Sequence, residues 1–183
     1  MNHVGTKTLE TGRLILRRYT VEDAQQMYDN WASSEVVTEY LSWPPHASVD
    51  VTRALLEDWV AKYEEPSTYN WGIELKETGE LVGNIAAVRQ NEKIFCAEIG
   101  WAIGDRWWGQ GIMPEAAHAV FGYLFKEAGF QRIEAKHDIK NPKSGRVMQK
   151  IGMVYEGTLR RGGCNNSGID DRAIYSMLPE EYK

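Results

Sequence analysis

The sequence predicts an α/β protein with one mixed, mostly antiparallel sheet flanked by helices. Its length of 183 residues matches a single domain with one core. Short apolar runs separated by turn residues indicate strands that follow one another as a meander. A helical pattern lies between the predicted strands 97–103 and 133–138, and a helix in that position joins parallel strands. We therefore expect one domain over residues 9–179, preceded by an N-terminal tail at 1–8.

The composition excludes several protein classes. Apolar residues make up 43% and charged residues 26% of the chain, as in ordinary soluble globular proteins. Two cysteines cannot build a disulfide framework, and no apolar run approaches the roughly 18 residues of a membrane helix. The net charge of −5 does not suit a nucleic-acid binder. Since the sequence also lacks a secretory leader pattern, we expect a cytoplasmic protein without a membrane or nucleic-acid partner.

The first predicted elements are a strand and a helix. Residues 13–17 alternate polar and apolar side chains, as in a half-buried strand. Thr20 followed three residues later by Asp23 resembles a capping box, which predicts a helix over 21–32. The segment 42–45 contains two prolines and is predicted as a loop, because proline cannot continue a helix.

A second helix is predicted to follow that loop. Ser48 or Asp50 can cap its first turn, and it ends near residue 62. Apolar side chains at helical spacing predict which face of this helix is buried. They are Val51, Leu55, Trp59 and Val60.

The rest of the chain alternates predicted strands and helices. Gly79 lies in the turn of a hairpin formed by strands 69–75 and 81–88. A third strand at 97–103 leads into a glycine-rich loop. The later elements are a helix at 113–127, a strand at 133–138, a helix at 143–151, and strands at 153–159 and 169–177 around a turn at 162–168.

The glycine-rich loop carries the strongest chemical signal. It contains Arg106, Gly109 and Gly111, and Pro114 suits the first turn of the helix that follows at once. Glycines let the backbone turn with its amides pointing inward, and a helix N-terminus adds free N–H groups and partial positive charge. This arrangement is typical of a pyrophosphate site. It is not a Walker loop and lacks the third glycine of a dinucleotide fingerprint; a tight turn without a ligand is the alternative.

Further motifs accompany this loop in order. The loop reads Arg106-Trp-Trp-Gly109-Gln-Gly111 and matches the Gln/Arg-x-x-Gly-x-Gly/Ala signature of the GNAT superfamily of acetyl-CoA-dependent N-acetyltransferases. The other motifs are Glu98-Ile-Gly-Trp101, Glu115-Ala116, Arg132-Ile-Glu-Ala135, Asn141-x-x-Ser144, Lys150-Ile-Gly-Met153 and Glu156-Gly157. From about residue 9 to 177 the chain resembles this superfamily, and in particular its Rim-type branch, which acetylates the N-termini of ribosomal proteins.

The resemblance implies the GNAT acyl-CoA N-acyltransferase fold, in which two central strands splay apart, and acetyl-CoA as co-substrate. In that fold the pantetheine arm lies in the gap between the splayed strands. Its implied partners here are Asn141 and backbone groups of Trp101, Ala102 and Ile103. The signature begins at Arg106, and amides after it are implied to hold the pyrophosphate. They belong to Trp107, Trp108, Gly109, Gln110, Gly111, Ile112 and Met113.

A basic helix face is predicted beside this site. Lys143, Arg146 and Lys150 recur at helical spacing and are placed to meet the 3′-phosphate of CoA. An ordinary solvated helix face is the alternative.

Acetyl transfer needs a neutral amine and a proton for the departing thiolate. Many members of the superfamily supply that proton from a tyrosine, but the matching position here is Met148, which cannot donate. The resemblance points instead to Ser144, both as acid and as a residue of the CoA site; a helix cap is the alternative. Glu98 is the candidate base, acting through water, with a structural carboxylate paired with an arginine as the alternative.

The acceptor is predicted from the lack of a strong base. Deprotonating a lysine side chain at pH 7 costs about 4–5 kcal/mol, whereas an α-amine costs only about 1.4 kcal/mol. We therefore expect an α-amine of a peptide or ribosomal protein as acceptor, with Trp43 in the substrate cleft. A small amine such as a polyamine, amino acid or antibiotic is one alternative, and a non-catalytic acyl-CoA sensor is another. The resemblance also allows a homodimer. We expect no metal site, because the histidines and cysteines lack metal-ligand spacing.

Overall fold

An eight-stranded mixed sheet organises the fold in the computed structural model, which describes residues 3–183. Its strands are β1 (Leu9–Glu10), β2 (Leu14–Arg17), β3 (Asn70–Leu75), β4 (Leu81–Asn91), β5 (Cys96–Ile103), β6 (Arg132–Asp138), β7 (Val154–Asn165) and β8 (Gly168–Met177). Their order across the sheet is β1-β2-β3-β4-β5-β6-β8-β7. Neighbouring strands are antiparallel except β5 and β6, which are parallel. The predicted mixed, mostly antiparallel sheet is confirmed.

Helices cover both faces of this sheet. They are α1 (Ala24–Met27), α2 (Glu35–Thr38), α3 (Val49–Lys62), α4 (Ile112–Tyr123) and α5 (Pro142–Lys150). A 3₁₀ turn at Val21–Asp23 and a π turn at Tyr28–Ala32 extend α1 to the bounds predicted for the first helix. The sequence does not predict α2, because four residues are too few for a periodic pattern. Over residues 3–183, no helix has the length and apolar character needed to cross a membrane.

The sheet separates two apolar clusters. On one face, which we call the α4 face, α4 packs over Val82 and Ile99. On the other, the α1 face, α1 and α3 pack over Leu81 and Ala102. Side chains alternate along a strand, so the neighbours Leu81 and Val82 enter different clusters. A ligand in the interior of the domain can therefore reach both faces only where two strands separate.

The buried face of α3 differs from the prediction. Thr52 and Leu56 are fully buried, whereas Val51, which was expected in the core, is 47% exposed. A buried hydroxyl needs a hydrogen-bond partner. His46 supplies it, because its Nδ1 lies 2.7 Å from the Thr52 hydroxyl. This contact places a polar residue in the core, which apolar periodicity alone cannot reveal.

The last hairpin also differs from the prediction. The turn expected at 162–168 is reduced to Asn166 and Ser167, and β7 continues through the glycines before them. The register between β7 and β8 shifts between Leu159 and Gly163. Glycine inside a strand often marks such an irregularity. The glycines therefore belong to a bulged strand, and the true turn is short.

The residues that precede β1 pack against the domain. Thr6 is buried, and its hydroxyl donates to the Thr68 carbonyl at 2.8 Å. The Tyr123 hydroxyl donates to the Gly5 carbonyl at 2.7 Å. Residues 3–8 of the predicted tail are thus held in place, and the rest of that tail lies outside the described residues.

The strands β5 and β6 separate soon after they meet. Their parallel pairing ends at Glu98 and Glu134, although β5 runs on to Ile103 and β6 to Asp138. The two strands therefore splay apart, as the resemblance implies. The resulting gap connects the α4 face with the α1 face, and its backbone N–H and C=O groups need other partners.

Candidate active site

A cleft of about 730 Å³ occupies the gap between β5 and β6, a volume within the range of small-molecule sites. The glycine-rich loop and the first turns of α4 and α5 border it on one side, and residues in and after α2 border it on the other. Most of the predicted CoA-binding residues line this cleft. They are Trp101, Ala102, Ile103, Trp107, Trp108, Gly109, Gly111, Ile112, Met113, Asn141, Lys143 and Ser144.

Two glycines shape the loop before α4, which we call the phosphate loop. Gly109 has φ 78° and Gly111 has φ 76°, a region that favours glycine. Gly111 is the N-cap of α4, so N–H groups in the first turn have no partner within the helix. A Cβ at Gly109 would meet nothing within 4 Å, which leaves room in front of the backbone. A pyrophosphate fits this combination of space and N–H groups.

Glu115 ties the phosphate loop to the N-terminal hairpin. Its carboxylate accepts hydrogen bonds from the Thr11 hydroxyl at 2.6 Å, the Arg13 N–H at 3.0 Å and Arg13 Nε at 2.7 Å. Arg13 Nη1 also donates to the Gln110 carbonyl at 3.0 Å. Burial raises the pKa of Glu115, but these donors outweigh burial and the pKa is lowered. The sequence places Glu115 in a motif but does not reveal this bracing role, because Thr11 and Arg13 lie far away in the chain.

Arg106 and Gln110 lie outside the cleft lining. The Arg106 side chain is 66% exposed, and its guanidinium lies over the Trp107 ring, 4.6 Å from the ring centroid. Gln110 Nε2 donates to the Arg106 carbonyl at 3.0 Å. Both side chains therefore brace the phosphate loop from outside.

Asn141 is the residue that caps α5. Its side-chain oxygen accepts a hydrogen bond from the Ser144 N–H at 3.3 Å. Ser144 lies inside the helix and lines the cleft, so the cap uses its backbone and not its hydroxyl. The alternative in which the Ser144 hydroxyl caps this helix is therefore wrong. Met148, one turn further on, is buried beneath the cleft.

The predicted basic face of α5 borders the cleft. Lys143, Arg146 and Lys150 all line it. Lys143 Nζ lies 3.5 Å from the centroid of the Trp108 ring, in the geometry of a cation–π contact. This contact holds the ammonium group beside the phosphate loop.

Replacing Lys143 with alanine should weaken CoA binding about tenfold, since a charge-assisted contact near the surface is lost. Dephospho-CoA lacks the 3′-phosphate and should lose much less affinity in a calorimetric titration. Lys126→Ala is a matched control, because Lys126 also lies over an aromatic ring, that of Tyr182, but outside the cleft. Equal losses of affinity for CoA and dephospho-CoA would show that Lys143 belongs to an ordinary solvated helix face.

Glu98 lies outside the cleft lining. Lys136 Nζ donates to its carboxylate at 2.8 Å and also contacts Glu134 at 3.1 Å. Alternation along β5 places Glu98 on the face opposite Ala97, which is the α1 face. The partner of Glu98 is therefore a lysine and not the expected arginine, and Lys136 itself lines the cleft.

This ion-pair chain continues across β6 and β7. Arg132 contacts Glu134 at 3.3 Å and Glu156 at 2.7 Å. Hydrogen bonds from Arg132 and the Ser176 hydroxyl lower the pKa of Glu156 to about 2. Two of the sequence motifs, those of Arg132 and Glu156, therefore meet in one contact. Within residues 3–183, no group of three or more His, Cys, Asp or Glu side chains is arranged to hold a metal ion.

Trp43 also lies outside the cleft lining. Its ring packs beside His46, with 5.3 Å between the ring centroids, and against the cluster on the α1 face. Its neighbours in the chain border the cleft instead, although the sequence did not single them out. They are Val36, Val37, Glu39, Tyr40 and Leu41.

Comparison with known proteins identifies the family. Residues 13–154, more than half of the chain, match the family model described as the acetyltransferase (GNAT) domain. The chain belongs to the GNAT acetyltransferase family. It is therefore an acetyl-CoA-dependent N-acetyltransferase, as the sequence motifs imply.

Several GNAT relatives match over most of their length. The chain is 34% identical to "Uncharacterized N-acetyltransferase YoaA" of Bacillus subtilis (strain 168), covering 93% of this chain and 96% of the relative. It is 28% identical to "Ribosomal-protein-serine acetyltransferase" of Escherichia coli (strain K12), covering 75% and 76%. The crystal structure of a GNAT-family acetyltransferase from Bacillus anthracis is similar, with a TM-score of 0.83, 27% identity and coverage of 96% and 100%.

Proposed function

We propose that this GNAT enzyme transfers the acetyl group of acetyl-CoA to the α-amine of a peptide or protein. The observation that carries the proposal is the cleft, which joins the two faces of the sheet between β5 and β6. A donor bound at the phosphate loop enters from the α4 face, and an acceptor enters from the α1 face. The similarity to a ribosomal-protein-serine acetyltransferase of Escherichia coli favours a protein substrate.

In this proposal the residues of the chain divide between holding the donor and moving protons. Amides of the phosphate loop hold the pyrophosphate, while Asn141 and the end of β5 hold the pantetheine arm. Acetyl-CoA supplies an acyl group already activated as a thioester. Ser144 donates its hydroxyl proton to the sulfur that leaves, and the proton that the amine loses on acetylation restores the hydroxyl through water. Met148 is buried below it and has no proton to donate.

The acceptor is assigned from the cost of making it neutral. A lysine side chain requires about 4–5 kcal/mol for deprotonation at pH 7, and an α-amine only about 1.4 kcal/mol. Glu98 lies outside the cleft lining and is paired with Lys136, so in this proposal it reaches the amine only through a water molecule and is a weak base. A weak base in that position suits the acceptor with the lowest cost of deprotonation, which is the α-amine.

A panel of amines tests this proposal, with release of the CoA thiol as the readout. It contains a peptide with a free N-terminus and one lysine, the same peptide with its N-terminus blocked, and spermidine. We expect thiol release with the free peptide and, by mass spectrometry, one acetyl group on its N-terminus. Acetylation confined to the lysine side chain or to spermidine would contradict the α-amine assignment.

A further inference from the structure

Two adjacent asparagines, Asn165 at the end of β7 and Asn166 in the turn that follows, contact opposite walls of the cleft. Asn165 Nδ2 donates to the carboxylate of Asp138 at 2.9 Å. Asp138 ends β6, is buried and lines the cleft. Asn166, the next residue, binds the opposite wall, which we call the roof segment and define as residues 35–43. The turn therefore joins β6 to the roof segment across the acceptor side of the cleft.

Asn166 makes three hydrogen bonds to the roof segment. Its backbone N–H donates to the Leu41 carbonyl at 3.1 Å. Its side-chain Nδ2 donates to the Thr38 carbonyl and to the Trp43 carbonyl, each at 2.8 Å. Ser167 adds a longer contact, from its hydroxyl to the Glu39 carbonyl at 3.4 Å. A single amide group thus fixes two points of the roof segment, five residues apart.

The roof segment determines the width of the cleft on the α1 face. Val36, Glu39 and Tyr40 line the cleft from this segment, and Val36 is 56% exposed there. Val37 and Leu41 line it as well and also pack against the apolar cluster of the α1 face. A small displacement of this segment would change the distance between an acceptor and the gap in the sheet.

We propose that Asn166 is a positioning residue for the acceptor amine, because it holds the roof segment against the wall formed by β6. This inference rests on the proposed function, in which the acceptor enters from the α1 face. Without the side-chain amide, the roof segment samples positions farther from β6, and the acceptor binds only the remaining closed fraction. The apparent dissociation constant then equals the intrinsic constant divided by that fraction. Donor binding stays unchanged, since these hydrogen bonds go to the roof segment and not to the phosphate loop.

The test compares steady-state kinetics of Asn166→Ala with those of the unchanged protein. We expect the KM for the acceptor to rise about tenfold, as for a closed fraction of about one tenth. The kcat at saturating acceptor and the KM for acetyl-CoA should both stay within about twofold of their original values. Asn166→Asp should raise the acceptor KM further, because it places a carboxylate opposite the two carbonyls that the amide satisfies.

Asn91→Ala is the matched control. Asn91 is also exposed, and it ends β4 where the connection to β5 begins. Its side chain accepts a hydrogen bond from the Lys93 N–H at 3.1 Å, but it does not line the cleft. This variant should leave both KM values unchanged. Hydrogen exchange measured by mass spectrometry should speed up over residues 35–43 in Asn166→Ala and not in Asn91→Ala.

An acceptor KM that does not change in Asn166→Ala would overturn the assignment of Asn166. If kcat and Tm fall while that KM stays unchanged, the role of Asn166 is purely structural. Failure of the proposed function looks different, because the unchanged protein would then acetylate no α-amine. In that case hydrogen exchange over residues 35–43 that is the same in Asn166→Ala and in the unchanged protein would still show that Asn166 does not hold the roof segment.

Discussion

Replacing Ser144 with alanine is expected to lower kcat by about 10²–10⁴-fold, the usual effect of removing a general acid. The affinity for CoA should be largely kept, because the hydroxyl acts on the leaving sulfur and the pyrophosphate is held elsewhere. Stability should change little, since Asn141 caps the helix through the backbone of Ser144. Single-turnover rates and thermal unfolding on the same preparation measure these quantities separately.

Ser67→Ala serves as the control for Ser144→Ala. Ser67 is also half-buried, but it does not line the cleft, so its replacement should leave turnover unchanged. Near-normal turnover in Ser144→Ala would reject the acid assignment and leave water to protonate the thiolate. A loss of turnover that only follows a loss of folded protein would reject it as well.

Replacing Gly111 with valine should weaken CoA binding about 10- to 100-fold, the cost of losing one or two charge-assisted contacts to phosphate. Gly111 has φ 76° and is the N-cap of α4, so a branched side chain disturbs both the turn and the approach of a phosphate to the backbone. There is space for a Cβ at this position, because the nearest atom, Arg13 Nη2, would lie 3.6 Å away, but the positive φ strains any residue that carries a side chain. Calorimetry with CoA measures the effect.

Gly79→Val separates the loss of the ligand site from backbone strain. Gly79 has φ 70°, close to that of Gly111, and a Cβ there would meet nothing within 4 Å. It lies in the hairpin turn between β3 and β4, away from the cleft, so its replacement imposes similar strain without touching the phosphate loop. Unchanged CoA affinity in a folded Gly111→Val variant would reject the assignment of the pyrophosphate site to the phosphate loop.

The architecture was predictable because it rests on local patterns. Periodicity and turn residues locate the strands of the meander, and the helix before β6 predicts the parallel pair. The errors arise where a distant partner changes the local preference. Thr52 is buried because His46 satisfies its hydroxyl, and the bulge in β7 depends on its pairing with β8. Neither partner can be read from a short window of sequence.

The proposed site could be predicted from sequence on its donor side and much less so on its acceptor side. Glycines, a helix start and an asparagine cap form the proposed donor site from nearby residues, and such motifs are visible in sequence. The proposed acceptor side is built from the roof segment, the end of β6 and the turn that holds Asn166. These three segments are separated by long stretches of chain, and their hydrogen bonds run mostly to backbone carbonyls, which carry no signal in side-chain identity.

The hydrogen bonds of Glu115 also determine when this site is completed during folding. Thr11 and Glu115 are 104 positions apart in the chain, and closing so long a loop carries an entropic cost that slows the contact. A nascent chain that ends within β5 contains the N-terminal hairpin but not the helix whose carboxylate joins it. Both segments must therefore be synthesised and brought together before Glu115 can brace the loop proposed to hold CoA.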